Sequence, residues 1–103
     1  MIYIVVSALV KKGRMSEYLE ICSRLRPLVL AEKGCLAYDY AKDIHPSAPG
    51  HDPSDPDRIT LIEKWESPEA LSAHNESAHV REYLPRLREL REATTIRMME
   101  TVL

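Results

Sequence analysis

The groups with chemistry to offer in this chain are its histidines, a scatter of carboxylates and two cysteines. The four histidines stand at positions 45, 51, 74 and 79. His74 and His79 fall in the stretch WESPEALSAHNESAH, residues 65–79. Two imidazoles on one helix can share a metal ion when they stand four residues apart, because both then leave the same face. These two are five apart, which turns them about 140° from each other on a continuous helix. The NES segment between them also reads as a break and restart. A two-histidine helical metal site is therefore not expected. His45 and His51 lie in a proline-rich stretch with Asp52, Asp55 and Asp57, where a cation could lodge adventitiously. Such a stretch reads more simply as a solvated linker. Cys22 and Cys35 fit neither a CxxC nor a zinc spacing and are expected to be reduced thiols.

His74 follows Leu71 by three residues and Ala70 by four, so its ring turns inward with the apolar side of its helix. Glu63 and Trp65 share one face of an adjacent strand. If that face meets the helices, then Glu63, Trp65, His74 and Tyr83 border one cavity. A half-buried imidazole and carboxylate side by side have shifted pKa values and can exchange a proton near neutrality. The bland alternative is that Trp65 and His74 are ordinary core residues. Spacing alone does not choose between the two.

These side chains need elements to hold them. Residues 2–10, rich in β-branched residues, read as a strand closed by Lys11-Lys12-Gly13. From Met15 the apolar positions Met15, Tyr18, Leu19, Cys22, Leu25 and Val29 recur at helical steps. Ser16 or a neighbour is expected to cap this helix, Pro27 to kink it, and Gly34 to end it in a left-handed conformation. Residues 35–44, with Leu36, Tyr38 and Tyr40 alternating, read as a second strand. Residues 45–57 hold four prolines and read as a long exposed hairpin connection. RITLIEKW, residues 58–65, is a third strand. Ser67-Pro68-Glu69 is a helix start with a serine cap and proline in the first turn, and the helix runs to about His74. Ser77 starts another, with Val80, Tyr83, Leu84 and Leu87 as its stripe and Pro85 expected to bend or split it. Residues 94–103 read as the last strand. The resulting β-α-β-β-α-β order predicts an α+β, ferredoxin-like fold, with one antiparallel four-stranded sheet and helices on one face.

The 103 residues make a single domain, 1–103. One modest core is all such a length supports. The sheet face away from the helices carries Ile, Val, Leu and Met among its polar residues, so a homodimer with stacked sheets is expected. A formal net charge of −2 with both signs interspersed offers no basic patch for nucleic acid. The first apolar run lacks a basic lead and a cleavage site, and it is too short to span a bilayer. No membrane association is expected, and the reading is a cytoplasmic protein.

Two stretches carry a resemblance. In EKGCLAYDY, residues 32–40, the pattern E-x-G-C-x-x-Y falls on Glu32, Gly34, Cys35 and Tyr38. In IEKWESPEALSAHNESAH, residues 62–79, the pattern falls on Glu63, Trp65, Ser67, Ala70, Leu71, His74, Ser77 and His79. Together they resemble the antibiotic biosynthesis monooxygenase family, whose small members form dimeric α+β barrels and include quinol monooxygenases. The resemblance implies oxidation of a small aromatic phenol or quinol by dioxygen, with no flavin, heme or metal cofactor. It implies His74 as the group that positions or accepts the proton, with Glu63 orienting a neighbour. Trp65, Tyr83, His79 and Tyr38 would contact substrate, Tyr83 also as a donor. The family's heme degraders carry an axial histidine where this chain has Leu84, which argues against heme. An isomerase of a small phosphorylated carbonyl compound is the second reading. It needs a cation for phosphate, from Arg97, Arg81 or Arg86. A non-catalytic ligand-binding dimer is the third.

Overall fold

The computed structural model describes residues 1–103. Its order is β1 (Ile2–Val10), α1 (Met15–Leu30), β2 (Cys35–Lys42), β3 (Arg58–Trp65), α2 (Pro68–Asn75), α3 (Ala78–Glu89) and β4 (Arg91–Glu100). The strands form one sheet in the order β2-β3-β1-β4, and every neighbouring pair is antiparallel. This is the expected ferredoxin-like arrangement, with the second helical segment split into α2 and α3.

The period-two pattern of β1 sends Ile4, Val6, Ala8 and Val10 to the helix side, where all four are buried. On β3 the same side takes Ile59, Glu63 and Trp65. α1 answers with Tyr18, Cys22, Leu25 and Val29. Leu19, counted in that stripe from the sequence, is 40% exposed instead, because it sits at the stripe's edge. Pro27 does not end α1, which runs three residues further to Leu30. Arg14, not Ser16, holds the capping position without a side-chain cap, and its guanidinium pairs with Glu17 at 2.7 Å. Both α2 and α3 start as expected. Ser67 accepts from the Ala70 amide, and Ser77 from the Val80 amide. α3 passes through Pro85 unbroken.

Three strand boundaries differ from the sequence reading. β2 stops at Lys42, two residues early. β4 begins at Arg91 and stops at Glu100. It enters the sheet immediately after α3, because the Leu90 carbonyl accepts from the Lys11 amide. An irregularity between Cys35 and Ala37 resets the register of β2 against β3. Leu36 therefore leaves the alternation and is 49% exposed, while Tyr38 is buried.

Gly34 has a φ of +83°, and a Cβ there would stand 2.5 Å from the Ala70 Cβ. Its carbonyl accepts from the Glu66 amide at 2.8 Å, so the turn before β2 is clamped against the start of α2. Gly34→Ala is expected to lower stability by about 1–3 kcal/mol in urea denaturation, from the unfavourable backbone conformation and the clash together. Adding Ala70→Gly should recover only the steric part of that loss. Full recovery would mean that the backbone conformation carries no cost.

Candidate active site

The helices cover β2 and β3 and leave a hollow over the middle of the sheet. This cavity has a volume of about 630 Å³ and a mostly hydrophobic lining. Register fixes its floor. Tyr38, Glu63, Ile4 and Met98 lie in one row across the sheet, and Tyr40, Leu61, Val6 and Ile96 in the next. Leu71 and His74 of α2 and Val80, Leu84 and Leu87 of α3 form the roof. No helix packs down over β4, so Ile96 and Met98 border the cavity and yet remain exposed.

His74 sits at one end, 5% exposed. Its Nδ1 lies 2.7 Å from Glu32 Oε2. Glu32 follows the end of α1, and 42 residues separate the two. An ionised carboxylate can only accept, so this bond places a proton on Nδ1 and turns Nε2 toward the second carboxylate. Nε2 stands 3.9 Å from Glu63 Oε1. That oxygen accepts from Trp65 Nε1 at 3.0 Å, and no protein donor reaches Oε2. Rings pack around the imidazole. Trp65 lies 4.6 Å away, tilted by 38°, and Tyr38 meets it edge-on at 5.7 Å. The order is therefore Glu32, His74, Glu63, Trp65, with the imidazole and the second carboxylate facing the cavity.

Burial is the first cause of the raised pKa of Glu63. The Trp65 N–H and the nearby His74 oppose the shift, and Glu32 adds to it. Burial likewise pushes the Tyr38 and Tyr40 phenols up and the Cys22 thiol to about 11, so these three stay protonated and can donate. Tyr40 Oη is buried without a partner on a residue that lines the cavity.

The other sequence candidates fall in different places. Trp65 is fully buried behind Glu63 and His74 and does not line the cavity. Tyr83 also lies outside the lining. It packs against the outer part of the core and holds the Arg86 guanidinium 5.7 Å from its ring. His79 does not reach the cavity either. Its Nε2 approaches Glu32 Oε2 to 3.2 Å, out of line for a hydrogen bond and with no other partner. Tyr38 does line the cavity. Arg97 alternates to the opposite face of β4 from Ile96 and Met98, and Arg81 and Arg86 are not in the lining. The arginines that are in it are Arg88 and Arg91.

The two histidines did converge, against the argument from helical angle. The chain breaks between α2 and α3, so the 140° separation never applies. One nitrogen from each ring and one Glu32 oxygen lie within 4.8 Å of one another, a donor set of the kind that holds a divalent ion. The spacing suits a shared proton better. Ligands about 2.0–2.2 Å from a tetrahedral ion stand more than 3 Å apart, whereas Glu32 and His74 are at 2.7 Å.

Glu32 was within the sequence pattern but had no role assigned to it. Its signal was an acid just before the Gly34 turn that brings the end of α1 against α2. Tyr40 was missed as well, although its two-residue spacing from Tyr38 puts it on the cavity face.

The family model for antibiotic biosynthesis monooxygenases matches residues 1–86. The chain belongs to that family. Solved structures agree in fold. A conserved protein from Methanosarcina mazei Go1 is 26% identical, with a TM-score of 0.83 over 95% of this chain and 89% of its own. A conserved protein of unknown function from Bacteroides thetaiotaomicron is also 26% identical, with a TM-score of 0.82 over 97% and 96%. A solved antibiotic biosynthesis monooxygenase matches over the full length of both chains at 23% identity and a TM-score of 0.84. Among curated proteins no match was found. No helix of this family member is long and apolar enough to cross a membrane.

The buried Glu63 sets a pH dependence. Well below about pH 4.3 the folded and unfolded chains both hold the proton, and burial costs little. As pH rises past that value the unfolded chain ionises first, so stability falls until the raised folded value is passed. Glu63→Gln does not titrate and can still accept from Trp65. Wild type should therefore lose stability relative to Glu63→Gln between pH 4 and pH 7 in urea denaturation. A constant difference would show that burial does not penalise this carboxylate.

Proposed function

We propose that the protein is a cofactor-independent monooxygenase that oxidises a small aromatic phenol or quinol with dioxygen. The observation that carries this reading is His74, held by Glu32 at Nδ1 and with Nε2 3.9 Å from the buried Glu63 carboxylate, at one end of an apolar cavity of about 630 Å³. Ground-state dioxygen is a triplet and reacts slowly with closed-shell molecules. A phenol that has lost its proton becomes an electron-rich delocalised anion able to pass one electron to oxygen. The protein's task is to take the proton, hold the anion and keep water away.

His74 Nε2 takes the phenolic proton. Glu32 keeps the ring in the tautomer that leaves Nε2 free, and Glu63 stabilises the imidazolium that forms. The phenolate transfers one electron to dioxygen, and the radical pair combines at ring carbon to give a hydroperoxide. With hydrogen on that carbon, loss of water leaves the quinone. One phenol and one dioxygen give one quinone and one water, and the proton on His74 returns with the departing oxygen. Tyr38 contacts the ring, and Trp65 acts from behind by fixing Glu63 and His74.

His74→Ala should reduce oxygen uptake with a panel of quinols by about 10²–10⁴-fold in kcat while leaving the fold intact. Glu32→Gln, which acts only through His74, should cost about 10–100-fold. Unchanged kcat in His74→Ala would remove the assignment. Isomerisation of a small phosphorylated carbonyl compound could use the same base, and conversion without oxygen uptake would identify it. A purely binding role would appear as saturable binding of an aromatic ligand with no oxygen uptake and no conversion.

The same reading includes a homodimer, active without membrane or nucleic acid and cytoplasmic in setting. The sheet face opposite the helices is bare, with Ile62 and Met99 exposed. Stacking two such faces removes that apolar surface from water. Thermal stability should then rise with protein concentration. A melting temperature independent of concentration down to nanomolar protein would contradict the dimer.

A further inference from the structure

We propose that Arg88 and Arg91 form an anion subsite at the end of the cavity remote from His74, and that the ligand is an aromatic acid with its acidic group held there. The identity of the ligand as an aromatic that reacts at His74 rests on the oxidation reading. The subsite itself does not.

Strand register gives the separation. Glu63 shares its row with Ile4, and Arg91 pairs with Val10. Six residue steps of β1 separate these rows, about 20 Å along the strand at the usual rise. The long side chains at each end reach over part of that distance. Arg88 precedes Arg91 by three residues at the end of α3, and both guanidinium-bearing residues line the same cavity. Among the other ionisable groups of the lining, Glu63 accepts from Trp65 and His74 bonds to Glu32, while the neutral Tyr18 phenol meets Arg91 without cancelling its charge. Arg81, Arg88, Arg91 and Arg97 pair with no carboxylate, while Arg14, Arg24, Arg26, Arg58 and Arg86 all do, and of the four only Arg88 and Arg91 line the cavity. Arg88 also suits the negative end of α3, but so does Arg86, which turns away to Glu82 and Tyr83. The site therefore offers positive charge at one end, an acid–base pair at the other, and an apolar body between.

A small phosphorylated compound would satisfy the arginines but leave the apolar middle wet. A neutral quinol would fill the middle but leave two cations unmatched. An aromatic ring system with a carboxylate meets both demands. Paired guanidiniums bind such a group through parallel charged hydrogen bonds.

The test compares two fluorescent probes that differ by one sulfonate, 8-anilinonaphthalene-1-sulfonate and N-phenyl-1-naphthylamine, titrated into the full chain. The sulfonate probe should bind at least about tenfold more tightly, a difference worth one charge-assisted contact. Arg88→Gln and Arg91→Gln should each remove most of that preference and leave the neutral probe unchanged. Arg97→Gln, on the opposite face of β4, should leave both unchanged. Naphthalene-2-carboxylate should displace the sulfonate probe, and inorganic phosphate at equal concentration should not. Equal binding of the two probes overturns the proposal. So does an Arg97→Gln effect as large as that of Arg91→Gln, or equal loss of both probes in the arginine variants. Displacement by phosphate alone would replace the aromatic acid with a small phosphorylated ligand. His74→Ala separates this proposal from the oxidation reading. It should leave the probe preference intact, and a protein that keeps the preference yet consumes no oxygen with any phenol would end only the oxidation reading.

Discussion

A single carboxylate oxygen organises this end of the molecule. Glu32 Oε2 holds His74 Nδ1 at 2.7 Å and approaches His79 Nε2 at 3.2 Å. It thereby ties the end of α1 to α2 and to the start of α3. Each of these helical segments is short, and none would hold its orientation by hydrogen bonds of its own. The charged hydrogen bond sets the ring's tautomer as well as its position. With Nδ1 committed to Glu32, Nε2 is the nitrogen left for a ligand. Without that partner a buried imidazole could carry its proton on either nitrogen, and the chemical character of the cavity end would be undefined.

The surroundings make this bond consequential. Trp65 and Tyr38 exclude water from the imidazole on two sides, and Trp65 also donates to Glu63. Glu63 is a charge placed where charge is unwelcome, as its upward pKa shift from burial records. A fold tolerates such a residue only when hydrogen bonds compensate for lost hydration. Here one oxygen is compensated by indole and the other faces the cavity. The arrangement favours a visiting group that brings a positive charge or a proton near Glu63, and an imidazolium formed at His74 does so.

The sheet contributes by geometry more than by composition. The row containing Glu63 is followed by the rows of Val6 and Ala8 and then by that of Val10, where a register irregularity between Leu9 and Val10 brings Arg91 onto the face of Thr94, Ile96 and Met98. Polar ends and an apolar middle are thus a consequence of register. The helices bury the inner faces of β1 and β3 but do not reach over β4, which leaves Ile96 and Met98 open to solvent. The same domain therefore encloses the His74 end of its cavity while remaining open along β4 and across its back face.

Much of this was legible in the sequence, wherever the governing physics is local. The alternation in β3 put Ile59, Leu61, Glu63 and Trp65 on one face, because a strand's period is set by its own backbone, and that face is the one that meets the helices. Ser67 and Ser77 marked helix starts, because capping is a contact between a side chain and an amide three residues on. The inward turn of His74 followed from its spacing to Leu71. Contacts between distant elements were not legible. The bond from Glu32 to His74 joins residues 42 apart, and no periodicity encodes it. His79 was judged by a helical angle that failed once the chain broke before Ser77. Tyr83 and Trp65 were expected on the cavity wall, yet one packs outside it and the other behind it, since three-dimensional packing decides which inward residue borders a space and which fills it. The choice of Arg88 and Arg91 over Arg81, Arg86 and Arg97 was likewise made by the angle of α3 over the sheet and the pairing of β4. Local chemistry thus determined the elements and their faces, while tertiary packing decided which side chains meet, because partners far apart in sequence are brought together only by the folded chain.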